Sequence, residues 1–412
     1  MQRFKMFKRT ATAIIKEALE ISPAVLISGA RQVGKSTLSL QLDMEYRVFD
    51  NLTDRESALN DPIGYINSLP KPVCIDEIQK VPQVLESIKL AIDAHRINGS
   101  FLLTGSANIL DMKKTKDSLA GRIIEISLWP LSQKELHQKP DENVIDLLFK
   151  TNLSALKIAK IEQEKIYQAI IDGGYPEIQK INSPRGKALW FDSYISTYVE
   201  RDIRDIGELR DIASFIRFYN IITPRSSGLL NKSDLANDAN ISEATANNYL
   251  TMLDMIYQIS QLQPYSSNIS KRFIKTPKIF MNDTGVLSHI LNITTPQELL
   301  SSSKKGDIIE TFVYSELQKH ISYSSTMPKL YHYRTNDKKE IDFIIEKGEK
   351  IVAVEVKSSQ SISMDAFKHI ADFQNKTKNK EVLGIVLYMG KDVIPFGDDT
   401  HQRYAVPMGV FF

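Results

Sequence analysis

Several short stretches of this chain combine residue types and spacing that can do chemistry. Gly29-Ala30-Arg31-Gln32-Val33-Gly34-Lys35-Ser36 fits the pattern G-x-x-x-x-G-K-[ST] and lies between an apolar run, Val25 to Ser28, and a helix expected over Ser36 to Leu42. In that setting the backbone N–H groups from Val33 onward face phosphate oxygens, aided by the positive end of the helix dipole. Lys35 is placed to bridge β- and γ-phosphates and the Ser36 hydroxyl to ligate Mg²⁺, so Gly29 through Thr37 form the expected ATP cradle. The bland alternative is a glycine-rich strand-to-helix turn with a surface lysine.

A second stretch, Pro72-Val73-Cys74-Ile75-Asp76-Glu77, is an apolar run ending in two acids. Asp76 would hold Mg²⁺ through water and Glu77 would polarise an attacking water, although paired acids at a strand end can also simply be solvated. A third run, Phe101-Leu102-Leu103, leads into Thr104-Gly105-Ser106, where Ser106, ahead of Thr104, is the expected contact to the γ-phosphate or its attacking water. A plain turn would look the same. Arg122, just before Ile123 to Leu128, can reach a γ-phosphate in its own subunit or across an oligomer interface, or serve only as a surface ion pair.

Far along the chain, Glu340 to Ser358 reads EIDFIIEKGEKIVAVEVKS, two apolar runs flanking the four-residue loop Lys347-Gly348-Glu349-Lys350. If Glu346 pairs with Ile351, Asp342 falls opposite Glu355, and Lys357 shares their face of the hairpin. Two acids and a lysine on one face either bind a divalent cation or form a structural ion-pair cluster.

Positioning these groups requires a covered sheet. Residues 10 to 21 have helical apolar spacing, and short apolar runs recur at Ala24 to Ile27, Tyr46 to Phe49, Val73 to Ile75 and Phe101 to Leu103, separated by stretches long enough for helices such as Val84 to His95. That alternation predicts an α/β parallel sheet. From Leu136 to Leu230 the pattern turns to amphipathic helices, including Trp190 to Ile206. Residues 228 to 280 read as helix, turn, helix and a basic hairpin carrying Lys271, Arg272, Lys275 and Lys278, with Ser242 as N-cap of the second helix. That second helix lacks lysine and arginine, which leaves protein docking and DNA contact both open. After Ser301-Ser302-Ser303 a second α/β pattern begins, with a helix at 307 to 320 and strands at 341 to 346, 351 to 357 and 382 to 388.

The 412 residues, 42% hydrophobic and 25% charged, suit two or three globular domains, and a net charge of +2 excludes a polycation. A lone cysteine, Cys74, excludes internal disulfides and cysteine-cluster zinc sites. Neither a signal-peptide core nor an uncharged apolar span of ~18 residues occurs, so a cytoplasmic protein without membrane contact is expected.

Together with Ile75-Asp76-Glu77-Ile78-Gln79-Lys80-Val81-Pro82, Leu103-Thr104-Gly105-Ser106, Leu119-Ala120-Gly121-Arg122, Pro130-Leu131-Ser132, Gly173-Gly174-Tyr175-Pro176 and Tyr198-Val199-Glu200-Arg201-Asp202-Ile203, the phosphate loop resembles the prokaryotic AAA+ P-loop ATPases that carry a winged-helix segment and a C-terminal restriction-endonuclease-like domain. The family usually has proline and threonine where this chain has Ala30 and Ser36. The resemblance implies an AAA+ parallel sheet core over 1–135, a helical domain over 136–227, a winged-helix segment over 228–300 and a nuclease-like α/β domain over 301–412. It also implies Arg201 as a second phosphate-sensing arginine. Asp342 followed by Glu355-Val356-Lys357 resembles the PD-(D/E)XK motif, in which two acids bind Mg²⁺ and the lysine orients or activates water, and Glu310 matches the extra acid of many such domains. The implied function is an Mg-dependent, ATP-hydrolysing protein whose cycle repositions a winged-helix and nuclease-like module on DNA. A nucleotide-gated regulatory scaffold with a silent nuclease-like domain is the alternative, and partners would be ATP, DNA, a homo-oligomer or another protein.

Overall fold

The computed structural model describes residues 7–106, 119, 121–149, 153, 158–199, 211–266, 276–397 and 401–412. Two compact units emerge: one holds residues 1–131, 194–209 and 255–257, and the other holds the rest of the chain.

The first unit is built on five parallel strands: β1 (Ala24–Ser28), β2 (Glu45–Val48), β3 (Val73–Asp76), β4 (Phe101–Gly105) and β5 (Ile123–Ser127), in the order β2-β3-β4-β1-β5. Every residue of β1, β3 and β4 is buried, as expected of strands with a strand on both edges and helices over their faces. Leu26, Val73, Ile75 and Leu103 join Ile66, Val84 and Ile88 of the covering helices in one apolar core. Cys74 is fully buried in β3, between Tyr46 of β2 and Leu102 of β4, and burial pushes its thiol up to about 12. Since all strands are parallel, the residues following β1, β3 and β4 gather at one end of the sheet, and the expected α/β core is therefore present. The helix after the phosphate loop is shorter than expected, Lys35–Ser39, because turns take over from Leu40.

The helix expected from Trp190 begins earlier, at Pro184, whose fixed φ suits a first turn. It ends at Tyr194 and continues as a π-helical turn, Ile195–Val199. Residues 200–206 of that expectation lie outside the described residues. Helices Lys232–Ala239 and Glu243–Met255 follow, joined through left-handed Asn240 and capped by Asn231 and Ser242. The antiparallel strands β6 (Ile259–Leu262) and β7 (Lys278–Met281) come next.

Helix Lys305–Ser322 then leads into a mixed six-stranded sheet, ordered β12-β13-β11-β10-β9-β8. Its strands are β8 (Lys329–Arg334), β9 (Glu340–Lys347), β10 (Lys350–Val356), β11 (Glu381–Tyr388), β12 (Ile394–Pro395) and β13 (Arg403–Pro407). Strands β8, β9 and β10 are antiparallel neighbours, and a crossover through helix Lys368–Lys376 makes β11 parallel to β10. Glu346 pairs with Ile351 as derived from the sequence, but Lys347 also pairs with Lys350. The four-residue loop is thus corrected to the two-residue turn Gly348-Glu349, with Gly348 at φ +59, the left-handed conformation such tight turns require.

Candidate functional site

The phosphate loop is shaped by residues that only a compact backbone permits. Gly29 stands at φ +145, and a Cβ there would lie 2.3 Å from the Leu128 carbonyl oxygen, so no side chain fits without moving the neighbouring strand exit. Gln32 (φ 62) and Gly34 (φ 99) complete the turn, while Ala30 and Val33 anchor it in the core. Lys35 is buried, and its ammonium donates to the carbonyls of Gly29 and Ala30, each at 2.8 Å. Arg31 and Ser36 are half-buried, and Thr37 is exposed on the short helix. Arg9, to which sequence reasoning gave no role, is buried and donates to Val33 O at 2.6 Å and Trp129 O at 2.5 Å, fastening the loop from behind. No periodicity or motif marks an arginine 20 residues upstream as part of the loop.

Beside the loop, the β3 acids occupy the same sheet end. Asp76 is buried and accepts hydrogen bonds from the Thr104 and Tyr46 hydroxyls. Burial and then Asp76 push the Tyr46 phenol far up, so it stays a donor. Ser36 stands close enough to that phenol to act on it, working to lower it. Glu77 sits at φ 60, a left-handed conformation uncommon outside glycine, asparagine and aspartate, and its N–H donates to Asp76 Oδ1 at 3.1 Å. Its carboxylate accepts from Gln79 Nε2 at 2.5 Å, and Gln79 Nε2 also donates to Ser106 Oγ at 3.0 Å. Arg31 stands 3.9 Å from Glu77. Ser106 therefore lies within one side chain of Glu77, and Thr104 lies against Asp76. Tyr46 and Gln79 were missed because a tyrosine in a strand and a glutamine after an acid carry no motif of their own.

Arg122 requires a correction. It precedes Ile123, which pairs with Ala24 at the start of β1, so it stands at the sheet end opposite the phosphate loop. There it forms a two-pronged pair with Asp93, at 2.7 and 2.9 Å. A five-residue strand spans ~16 Å, beyond the reach of an arginine, and its expected action on a phosphate in its own subunit does not hold. Arg201 lies outside the described residues. Tyr257, a residue of this same unit, donates to Ser28 Oγ at 2.7 Å, packs edge-on against Trp129, and has its hydroxyl pushed up to about 12 by burial.

A second set of charged groups meets in the mixed sheet. Asp342 Oδ2 accepts from Val356 N–H at 2.8 Å, which fixes it beside Glu355 in the derived register. Glu355 Oε1 accepts from Lys357 Nζ at 2.7 Å, whereas Glu355 Oε2 is buried with no hydrogen-bond partner. Burial, and then the Asp342 charge, push Glu355 up to about 7; burial likewise raises Glu310 and Asp342. Lys278 was expected on an exposed basic wing, whose other cations Lys271, Arg272 and Lys275 lie outside the described residues. It is instead 3% exposed, 2.8 Å from Glu310 and 2.5 Å from Glu340. Burial works to lower Lys278, but Glu310, Asp342 and Glu340 outweigh it and hold the ammonium above its ordinary range. Among the described residues no three His, Cys, Asp or Glu side chains converge as a metal-binding group. As they stand, Glu310, Asp342 and Glu355 are brought to one region but not to one ion.

Residues 22–137 match the family described as an AAA domain, and residues 163–297 and 305–411 match two domains of unknown function. An uncharacterized protein of Mycobacterium tuberculosis is 29% identical over 406 residues, covering 97% of this chain and 83% of that protein. One from Haemophilus influenzae is 26% identical over 369 residues, covering 80% and 81%. Among solved structures, a Walker-type ATPase of Pyrococcus abyssi aligns over 70% of this chain and 97% of its own at 15% identity and a TM-score of 0.42. The Aeropyrum pernix ORC1 protein in complex with DNA aligns over 72% and 95% at 13% identity and a TM-score of 0.27. The AAA match coincides with the five-stranded unit and its phosphate loop, and it supports ATP binding and hydrolysis there. No described helix is long and apolar enough to cross a membrane.

Proposed function

We infer that the chain is an Mg-dependent ATPase switch, and the observation that carries this is the convergence of Lys35, Ser36, Asp76 and Glu77 at one end of the parallel sheet. The donor set fits the group: a buried lysine, the half-buried Ser36 hydroxyl that follows it, and the Asp76 carboxylate held by Tyr46 and Thr104. Magnesium, when bound, would neutralise charge on the β- and γ-phosphates. Lys35 exchanges its two loop carbonyls for phosphate oxygens. Glu77 orients and polarises the water, and Gln79 holds Glu77 and Ser106 in one hydrogen-bonded row. Arg122, if it acts on a phosphate, does so in trans within a homo-oligomer.

Tyr257 donates to Ser28, the residue preceding Gly29, and in the chain it lies between helix Glu243–Met255 and β6, so the loop's state is felt at that point of the sequence. The winged-helix and nuclease-like modules are the elements moved and DNA is the target; the Asp342, Glu355 and Lys357 placement supports that reading. A regulatory scaffold with a silent nuclease-like domain is favoured by a different observation, the Lys278 ammonium lodged among the acids.

The test of the ATPase is a pair of variants in the full chain. Lys35→Ala is expected to weaken ATP binding at least tenfold, and Glu77→Gln to preserve binding while lowering turnover by ~100-fold or more. Equal turnover in wild type and Glu77→Gln would remove Glu77 as the water-polarising group.

A further inference from the structure

Gln79 stands in the 3₁₀ turn Ile78–Lys80 after β3, a turn fixed by Ile78 and Val81, both fully buried in the core of the parallel sheet. Glu77, just before the turn, is pinned through its N–H to Asp76 Oδ1 at 3.1 Å and Thr104 Oγ1 at 3.3 Å. A carboxylate only accepts hydrogen bonds, so the Gln79 amide must turn its nitrogen, and not its oxygen, toward Glu77. Both hydrogens of Nε2 are then committed, one to Glu77 Oε2 at 2.5 Å and one to Ser106 Oγ at 3.0 Å. The oxygen at the other end of the amide, Oε1, is buried with no hydrogen-bond partner among the described residues. Folded proteins rarely leave a buried carbonyl oxygen bare unless a water or a ligand completes it. The two polar atoms of an amide are about 2.3 Å apart, so Oε1 lies less than about 5 Å from Glu77 Oε2 and less than about 5.5 Å from Ser106 Oγ. One water bridges such spans with hydrogen bonds of about 2.8 Å, and these three groups give it the number of partners an ordered water takes.

We propose that Gln79 is a catalytic residue of ATP hydrolysis, its Oε1 accepting one hydrogen of the attacking water while Glu77 accepts the other. The inference rests on Glu77 as the water-polarising group and adds the group that sets the water's direction. With both hydrogens engaged, a lone pair of the water is free for the γ-phosphorus. As that pair forms the new oxygen–phosphorus bond, the bond from the γ-phosphorus to the oxygen it shares with the β-phosphate breaks. Its electrons leave with ADP, and the water's proton passes to Glu77. Gln79 exchanges no proton; it contributes orientation, and Nε2 keeps it in step with Glu77 and Ser106.

Binding and turnover in the full chain test it together. Gln79→Met keeps the length of the side chain and removes its amide. It should bind a labelled ATP analogue within about twofold of wild type, because the water is no part of the ground-state grip. It should bind ADP with aluminium fluoride and Mg²⁺, which mimics the phosphoryl group under attack by an in-line water, at least tenfold more weakly, and hydrolyse ATP at least tenfold more slowly. A second variant exchanges the pair: Glu77→Gln/Gln79→Glu returns a carboxylate to the same water from its other side, and should turn over at least tenfold faster than Glu77→Gln alone. If Gln79→Met fails to fold and binds no ATP analogue, the exchanged pair decides by itself. Wild-type turnover and wild-type affinity for the aluminium fluoride complex in Gln79→Met, or an exchanged pair no faster than Glu77→Gln, overturns the role of Gln79 and leaves Glu77 as the water-polarising group. Undiminished turnover in Glu77→Gln removes Glu77 from that role and this inference with it.

Discussion

Arg9 gives the sharpest test of how the phosphate loop is held. Its guanidinium donates to Val33 O and Trp129 O from a buried position, so Arg9→Met keeps much of the apolar stem and removes both donors. Hydrogen bonds from charged groups contribute about 1.5–3 kcal/mol each, and two buried carbonyls would lose their partner together. Partial repacking and water entry reduce the sum, leaving about 2–4 kcal/mol of destabilisation. For a unit of this size that lowers the melting temperature by roughly 5–15 °C. The Val33 carbonyl belongs to the peptide unit whose N–H is that of Gly34, so its release also disorders the phosphate-facing amides. ATP affinity should therefore fall about tenfold, or ~1.4 kcal/mol. Arg9→Lys, able to serve one carbonyl, should fall between the two. The assays are differential scanning calorimetry of the full chain and fluorescence titration with a labelled ATP analogue. A variant with unchanged melting and unchanged affinity would refute the view that Arg9 anchors the loop.

Two further outcomes follow from the geometry. Gly29→Ala should lower ATP binding at least tenfold while retaining the far-ultraviolet circular dichroism, because its Cβ meets Leu128 O at 2.3 Å; full binding would show that the strand exit yields freely. Burial pushes His320 down to about 3 and His332 down to about 4, below the ordinary 6.5, so the native state binds fewer protons than the unfolded one between those values. Their stability contribution is present above about pH 6.5 and is lost as pH falls through that window. Glu355, raised from its ordinary 4.5 to about 7, and Glu310 and Asp342, also raised by burial, work oppositely and cost stability as pH rises, so the histidine contribution is read as the difference between two profiles. Urea midpoints of the wild type should gain on those of His320→Asn/His332→Asn as pH rises from 4.5 to 6.5; parallel profiles would contradict this.

What the sequence disclosed was whatever local pattern encodes. The phosphate loop, the acids ending β3 and the register of β9 on β10 each depend on a few neighbouring residues, and the structure has Asp342 beside Glu355 where alternation alone put it. Long-range partners were hidden. Arg9 meets Trp129 and Tyr257 meets Ser28 across separations no periodicity spans, and Lys278 looked like one of four wing cations because its acids lie on other elements. Arg122 acting on a phosphate of its own subunit failed for a topological reason, while its ion-pair alternative is present: parallel strands send residues before and after a strand to opposite ends, and that end was not known until β5 was paired with β1. Strands β8, β12 and β13 escaped notice because short or edge strands such as Ile394–Pro395 carry too few alternating residues to signal themselves.

Cys74 turns the closed sheet into its own reporter. The chain has one thiol, and it lies midway across β3, two residues before Asp76, in a place no reagent enters while β2 and β4 flank it. A disulfide reagent can react only during excursions in which that strand parts from its neighbours, so the labelling rate is the reagent's intrinsic rate multiplied by the opening equilibrium. Each unit of nucleotide saturation should slow the labelling in proportion to 1 + [L]/Kd, the factor by which a ligand depletes the open form. The other unit contains no cysteine, so every labelling event reports on this sheet. One unmodified atom thereby reads the opening of the nucleotide-holding sheet directly.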